Sequence, residues 1–137
     1  MNKANEGELE LLDKMLKDAL SVDEAYILKL FQNNYTPADT TTSANMTAAT
    51  FTNYAHKTLT RAGWSAATTN ASGKAESSYG TAPESWTCGA TGNTIYGYWV
   101  EGASSGKVLW AERFATARVL ASGDVLDNWG LKLAKAA

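Results

Sequence analysis

The sequence predicts an all-β domain, a sandwich or barrel of about eight antiparallel strands with a short N-terminal helix. Short segments rich in β-branched and aromatic residues follow one another from residue 25 onward. Gly, Pro, Asn and Asp residues separate these segments at close spacing. The 137 residues are enough for one core and contain no internal repeat. We therefore expect an amphipathic N-terminal arm at residues 1–24 and a β-sandwich domain at residues 25–137.

Residues Glu8–Leu20 have the spacing of an amphipathic helix. Apolar side chains, among them Leu12 and Leu16, recur three and four residues apart. Acidic residues crowd the start and lysines follow, which suits the helix dipole. Such a helix either caps one end of the sandwich or acts as an arm that docks on a neighbouring subunit.

The segment Ala25–Gln32 is apolar at both odd and even positions, which predicts a central strand. The polar, Thr-rich loop Asn33–Met46, which contains Tyr35, follows it. Loops of this length are either solvated excursions or functional elements. We expect a helical turn at Thr47–Phe51 and a tight turn at Asn70–Gly73. Further short strands are predicted at Ala55–Arg61, Trp64–Thr68, Ala75–Tyr79, Ser85–Ala90, Arg118–Ala121 and Val125–Leu133.

The central feature is a hairpin of Ile95–Glu101 and Lys107–Phe114 around a loop of small residues. A register that pairs Glu101 with Lys107 places Trp99 opposite Leu109 and joins opposite charges beside the loop. Neither face of this hairpin is polar. We expect one face to pack on the chain's own core and the other to contact a partner.

Composition excludes several classes of function. The chain has 12 basic and 14 acidic residues, so clustered positive charge for nucleic-acid binding is not expected. The sequence has no apolar run of membrane-spanning length and no pattern typical of a signal peptide. The single cysteine, Cys88, excludes an internal disulfide and suggests synthesis in a reducing compartment.

No motif predicts catalysis, a metal site or a cofactor, and we expect no enzymatic activity. The loop before Val108 resembles a phosphate-binding loop, but its glycine spacing is one residue short and no helix follows. A thiol–imidazole pair of Cys88 and His56 has no local signature. Cys88 is expected to be a small buried residue and His56 a surface residue.

The adjacent charges of Glu112 and Arg113 lie between Trp110 and Phe114 in the sequence. Charges in apolar surroundings must be paired or reach solvent. They form either an ion pair within the chain or a contact across a subunit interface. The five tryptophans allow three roles: core packing, a subunit interface or a sugar-stacking platform.

Three stretches carry a resemblance to a known group of proteins: Leu30–Pro37, Phe51–Trp64 and Ile95–Phe114, with LWAERF at the end of the last stretch the most distinctive. With the helical N-terminus, the chain resembles small proteins encoded beside the major capsid protein in tailed-phage genomes. The resemblance covers most of the chain after residue 25. It consists of strand and turn patterns rather than catalytic motifs.

The resemblance implies a jelly-roll-like β-sandwich that acts as a capsid decoration, or cement, protein. Such a protein is made in the bacterial cytoplasm, binds the major capsid protein on the outside of the virion and bridges capsomers. Several proteins of this group work as dimers or trimers, so the resemblance implies a homo-oligomer. The alternative function is a carbohydrate-binding module of a tail fibre or adhesin. The candidate contact residues for the capsid or a second subunit are Leu12, Leu16, Tyr35, Trp99, Trp110, Glu112 and Arg113.

Overall fold

The computed structural model describes residues 2–7, 9, 25–80, 84–126 and 132–134. These residues form ten β-strands in three antiparallel sheets. The predicted all-β, sandwich-like fold is therefore confirmed. The strands are β1 (Asn2–Lys3), β2 (Tyr26–Phe31), β3 (Lys57–Leu59), β4 (Thr68–Thr69), β5 (Ala75–Ser78), β6 (Trp86–Thr87), β7 (Thr94–Gly102), β8 (Val108–Val119), β9 (Val125–Leu126) and β10 (Lys132–Ala134).

The largest sheet has five strands in the order β1-β8-β7-β2-β3. Strand β2 lies between β7 and β3, so the prediction of a central strand here is confirmed. Its high apolar content follows from this position, because both of its faces are covered. The other sheets have the orders β10-β5-β4 and β6-β9.

Strands β7 and β8 form the predicted hairpin, but the predicted register is wrong. Glu101 lies opposite Val108 rather than Lys107, and Trp99 lies opposite Ala111 rather than Leu109. The ladder shifts between Val100 and Glu101 because one extra residue of β8 is accommodated there. The bulge places Val108 and Leu109 on opposite faces from those predicted.

The five-stranded sheet buries apolar side chains on both faces. The main core lies between this sheet and the β6–β9 sheet, and it comprises Leu28, Leu30, Ala49, Phe51, Leu59, Trp86, Cys88, Ile95, Tyr98, Val100, Leu109, Trp110, Leu120 and Leu126. The second core covers the opposite face and comprises Ala4, Phe31, Met46, Trp99, Val108 and Ala111.

The second core corrects the expectation that one hairpin face is left for a partner. Ala4, from the N-terminal arm, and Met46, from the Thr-rich loop, are both buried against Trp99 and its neighbours. The chain therefore covers this face with its own residues. Apolar content on both faces of a hairpin does not by itself distinguish a partner surface from a second core.

Local predictions outside the hairpin have mixed outcomes. The turn at Asn70–Gly73 is confirmed by a hydrogen bond from Gly73 N to Asn70 O of 2.9 Å. The helical turn expected at Thr47–Phe51 is wrong: a 3₁₀ turn forms at Ser43–Asn45 instead, and Ala48 bridges to Phe31. Residues 5–7 and 9 are helical, and the predicted helical span from residue 10 onward lies outside the described residues.

Candidate contact surface

The predicted contact residues are divided between the two faces of the central hairpin. Trp99 belongs to the second core, while Trp110 belongs to the main core. Each of these side chains is 2% exposed. Leu12 and Leu16 lie outside the described residues. A partner role for the two tryptophans stays a prediction, and it would require the chain segments that cover them to move.

Arg113, on β8 of the hairpin, contacts the Thr-rich loop through a hydrogen bond. Its Nη1 donates a hydrogen bond of 2.9 Å to the carbonyl oxygen of Tyr35, and its guanidinium lies 5.2 Å from the centre of the Tyr96 ring. The hydroxyl of Tyr35 in turn lies 2.9 Å from Oγ1 of Thr41, which is buried. The structure thus brings two predicted contact residues, Arg113 and Tyr35, into one half-buried cluster.

Glu112 interacts with the main core through Tyr98. The hydroxyl of Tyr98 donates a hydrogen bond of 2.9 Å to Oε2 of Glu112. Burial raises the pKa of Tyr98, and the negative charge of Glu112 raises it further. This carboxylate stabilises the protonated phenol in the wall of the main core.

A charged cluster that sequence reasoning missed lies on the second face. Lys29 on β2 forms an ion pair with Glu101 on β7, and Trp99 Nε1 donates a hydrogen bond of 2.6 Å to the other carboxylate oxygen. The ammonium group also lies 5.6 Å from the centre of the Trp99 ring. One signal was available in the sequence, because Lys29 is a charged residue within an otherwise apolar central strand.

The tryptophans serve mainly as core residues. Trp86 is buried and donates a hydrogen bond of 2.7 Å from Nε1 to the carbonyl oxygen of Ala55. Trp64 is half-buried and packs edge-on against Tyr79 and Trp110, with ring centres 5.3 and 6.1 Å away. Trp129 lies outside the described residues. Sugar stacking needs an open aromatic face, and among the described tryptophans only Trp64 is more than slightly exposed.

Cys88 and His56 differ in their environments. Cys88 is a free, buried cysteine, and its thiol lies 3.5 Å from the carbonyl oxygen of Gly89. The prediction of a small buried residue is confirmed, and His56 is exposed as expected. Within the described ranges, no group of three His, Cys, Asp or Glu residues is arranged to hold a metal ion.

A groove beside the end of β8 exposes apolar side chains that the sequence did not single out. It has a volume of about 420 Å³ and lies between the end of β8 and the start of β9. Val119 and Val125 line it and are 74% and 52% exposed. Leu9 is the other strongly exposed large apolar residue in the described part of the chain. Most of the surface that lines the groove is polar, and Arg118 and Asp124 contribute charges of opposite sign beside the two valines.

Comparison with known proteins identifies no family. No protein-family model matches the chain, and no curated protein matches it significantly. Among the described residues, no helix is both long enough and apolar enough to span a lipid bilayer.

Proposed function

We propose that the chain is a tailed-phage decoration protein that binds the major capsid protein on the outside of the head and stabilises contacts between capsomers. The groove lined by Val119 and Val125 carries this proposal. It offers exposed aliphatic side chains at a strand end, where a neighbouring protein surface can bury them.

Two further observations support the proposal. The three stretches that resemble phage virion proteins include the end of β2, all of β3 and most of the central hairpin. The sandwich-like fold also agrees with the architecture that this resemblance implies. In such a role, each copy contributes a weak contact, and the many copies on one shell together resist internal pressure.

The proposal changes the expected contact residues. The buried positions of Trp99 and Trp110 favour a structural role for both side chains. The exposed end of β8, including Arg118, and the exposed start of β9 are better placed to contact a capsid. Arg118 and Asp124 place one charge of each sign beside the two valines, which suits a partner surface that also carries both charges.

Co-sedimentation with capsid shells tests the proposal directly. Shells assembled from the major capsid protein of the same genome, without decoration protein, are mixed with the chain, pelleted and imaged by cryo-electron microscopy. We expect regular density at capsomer junctions. Val119→Lys should lower the bound fraction at least tenfold, whereas Ala103→Lys, at the exposed hairpin loop, should leave it unchanged.

The same preparation tests the carbohydrate-binding alternative. If the chain does not bind shells but its tryptophan fluorescence responds to members of a glycan panel, the decoration proposal fails and the adhesin function replaces it. Binding to shells with no response to glycans excludes the alternative. Deletion of the N-terminal arm is a poorer test, because Ala4 is part of the second core and its loss also lowers stability.

A further inference from the structure

The hairpin of β4 and β5 contributes no buried side chain to either core. No residue from 60 to 80 is buried, although Trp64 and Tyr79 at the base of the hairpin pack against the main core as half-buried residues. The rest of the hairpin carries mainly small side chains, such as those of Thr68 and Ser77. Because burial of apolar area is the main source of folding free energy, these residues stabilise the domain little. Their surface is therefore available for contact with another molecule.

The outer edge of this hairpin presents main-chain hydrogen-bonding groups. Strand β4 is the outer strand of the order β10-β5-β4, and residues 65–69 are all exposed. Asn70 N donates a hydrogen bond of 2.9 Å to Lys74 O, so this pair is hydrogen-bonded. Since such pairs alternate along an antiparallel ladder, Thr69 directs its N–H and C=O away from β5. The carbonyl of Ala67 points the same way, because it shares a peptide plane with the inward N–H of the next residue.

This edge lacks the protection that the other outer strands carry. The remaining outer strands of the two larger sheets each contain a lysine: Lys3 in β1, Lys57 in β3 and Lys132 in β10. Lysines on edge strands oppose pairing with a further strand. Residues 65–69 consist of serine, alanine and threonine, with no charge and no proline. Their small side chains allow another strand to approach β4 closely.

A β-bulge marks one end of the edge. Trp64 bridges to Tyr79, whereas Thr68 pairs with Glu76, so one extra residue is accommodated among residues 65–67. The regular ladder therefore starts at Thr68. A partner strand aligns with this end of the hairpin rather than with its base.

The other end of the edge is fixed by Asn70. Its Oδ1 accepts hydrogen bonds of 3.0 and 3.1 Å from the N–H groups of Ser72 and Lys74, which closes the turn. Its Nδ2 donates a hydrogen bond of 3.3 Å to Glu76. Because contacts within the chain set the conformation of the hairpin, a partner does not have to order it on binding.

We propose that the edge of β4 binds an extended, uncharged segment of a partner protein, which adds to the sheet as a further strand. Main-chain hydrogen bonds to Thr69 and Ala67 supply the affinity. A charged residue in the partner segment would lose water without gaining a counter-ion on residues 65–69, so the site favours a neutral segment. These residues are distinct from those of the β8–β9 groove, and the proposal does not depend on capsid binding.

An NMR titration of the isotope-labelled full chain tests the proposal. The probe is a short acetylated peptide of alternating threonine and valine, added up to about 1 mM. These residues favour strands and carry no charge. We expect the amide signal of Thr69 to shift and its hydrogen exchange to slow about tenfold or more. The amide of Ala103, at the exposed loop of the central hairpin, should stay unchanged.

A peptide of the same sequence with methylated backbone nitrogens is the matched control. It keeps the side chains but cannot donate ladder hydrogen bonds, so it should leave the Thr69 amide unchanged. Equal shifts from both peptides would show binding through side chains and overturn the proposal. An unchanged Thr69 amide at the highest concentration of the unmethylated peptide would overturn it as well.

Two substitutions in the chain locate the binding to this edge. Thr69→Pro removes the outward N–H at a position where an edge strand tolerates proline, and it should abolish the peptide-induced shifts. If this variant does not fold, Thr69→Lys adds the charge that the other outer strands carry and should weaken peptide binding about tenfold or more. Ala71→Lys, at the exposed turn, is the control and should bind as the unsubstituted chain does.

Light scattering distinguishes a partner segment from a second copy of the chain. An oligomer that Thr69→Lys dissociates would show that a second copy occupies this edge, and the proposal would be wrong. An unchanged mass in Thr69→Lys, together with its weaker peptide binding, supports a partner segment.

Discussion

Glu101 and Lys29 form an ion pair between neighbouring strands within the second core. The two residues are not directly opposite each other in the sheet. Glu101 lies on β7, and its register partner on β2 is Ile27 rather than Lys29. The pair is therefore diagonal across the sheet. Trp99 also donates a hydrogen bond to the carboxylate of Glu101, and Glu101 as a whole residue is 6% exposed. Three polar groups thus satisfy one another on a face that is otherwise apolar.

Glu101→Gln should destabilise the chain by about 1–3 kcal/mol, as measured by urea unfolding. The substitution leaves Lys29 without its counter-ion, and this lysine side chain is only 25% exposed. Asp39→Asn makes the same chemical change at an exposed position and should alter the free energy of unfolding by less than about 0.5 kcal/mol. Equal effects of the two substitutions would show that the ion pair does not stabilise the fold.

Deprotonation of Tyr98 should lower the free energy of unfolding at high pH. Its folded-state pKa is raised above the ordinary value of 10.0, so the folded chain holds this proton after the unfolded chain has lost it. The contribution of Tyr98 to the free energy of unfolding is therefore complete below pH 10. It decreases as the pH rises, by at most about 1.4 kcal/mol per pH unit. The free energy of unfolding, measured between pH 8 and 11, should fall less steeply in Tyr98→Phe.

Tyr54 should contribute to the same alkaline transition. Burial raises its pKa, although a hydrogen bond of 3.0 Å from the Leu30 N–H to its hydroxyl opposes the rise. Tyr54→Phe combined with Tyr98→Phe should therefore flatten the pH profile more than either substitution alone. An unchanged slope in the double variant would assign the transition to other groups.

Gly97→Ala should destabilise the chain by ~3 kcal/mol or more. An added Cβ would lie 2.1 Å from the carbonyl oxygen of Glu112 and 2.6 Å from the Phe31 ring. The backbone of β8 cannot move away without breaking the hairpin ladder. Ala115→Ser, at an exposed position of β8, is the control and should be nearly neutral in thermal unfolding.

The thiol of Cys88 should react with a disulfide reagent at least 100-fold more slowly in the native chain than in urea. It is 2% exposed and lies in the main core, so the reagent reaches it only when the structure opens. Absorbance of the released thiolate measures both rates. Fast labelling under native conditions would contradict the burial of this residue.

The strands that local chemistry specifies were predictable from sequence. The sequence predicts β2 and β7 near their observed bounds, because continuous β-branched and aromatic residues favour extended backbone at any position in a fold. The prediction for β8 is too short: the strand continues past Phe114 to Val119 and takes in the start of the separate strand expected at Arg118–Ala121. Cys88 was expected in the core for a similar reason, since a small apolar side chain in a strand pattern is seldom exposed. The two-residue strand β1 had no such signal.

The hairpin register depends on tertiary packing. A bulge between Val100 and Glu101 decides which face receives Val108, and its position depends on side chains from other strands. Tertiary packing also decides which of the candidate contact residues reach the surface. The burial of Trp99 and the exposure of Val119 follow from which segments cover each face of the sheet.

Residue composition and strand patterning specified that this chain folds as an all-β domain and placed β2 and β7 correctly, because strand formation depends on neighbouring residues. The strand expected at Trp64–Thr68 is wrong, since only Thr68 belongs to a strand, β4. The pairing of Glu6 with Val108, of Lys29 with Glu101 and of Arg113 with Tyr35 joins residues far apart in the chain. Such contacts form only when the whole sheet has assembled, since the free energy of each depends on burial that the other strands provide. They place residues 2–7 on the sheet edge, pair the charges beside the second core and hold the Thr-rich loop against the hairpin.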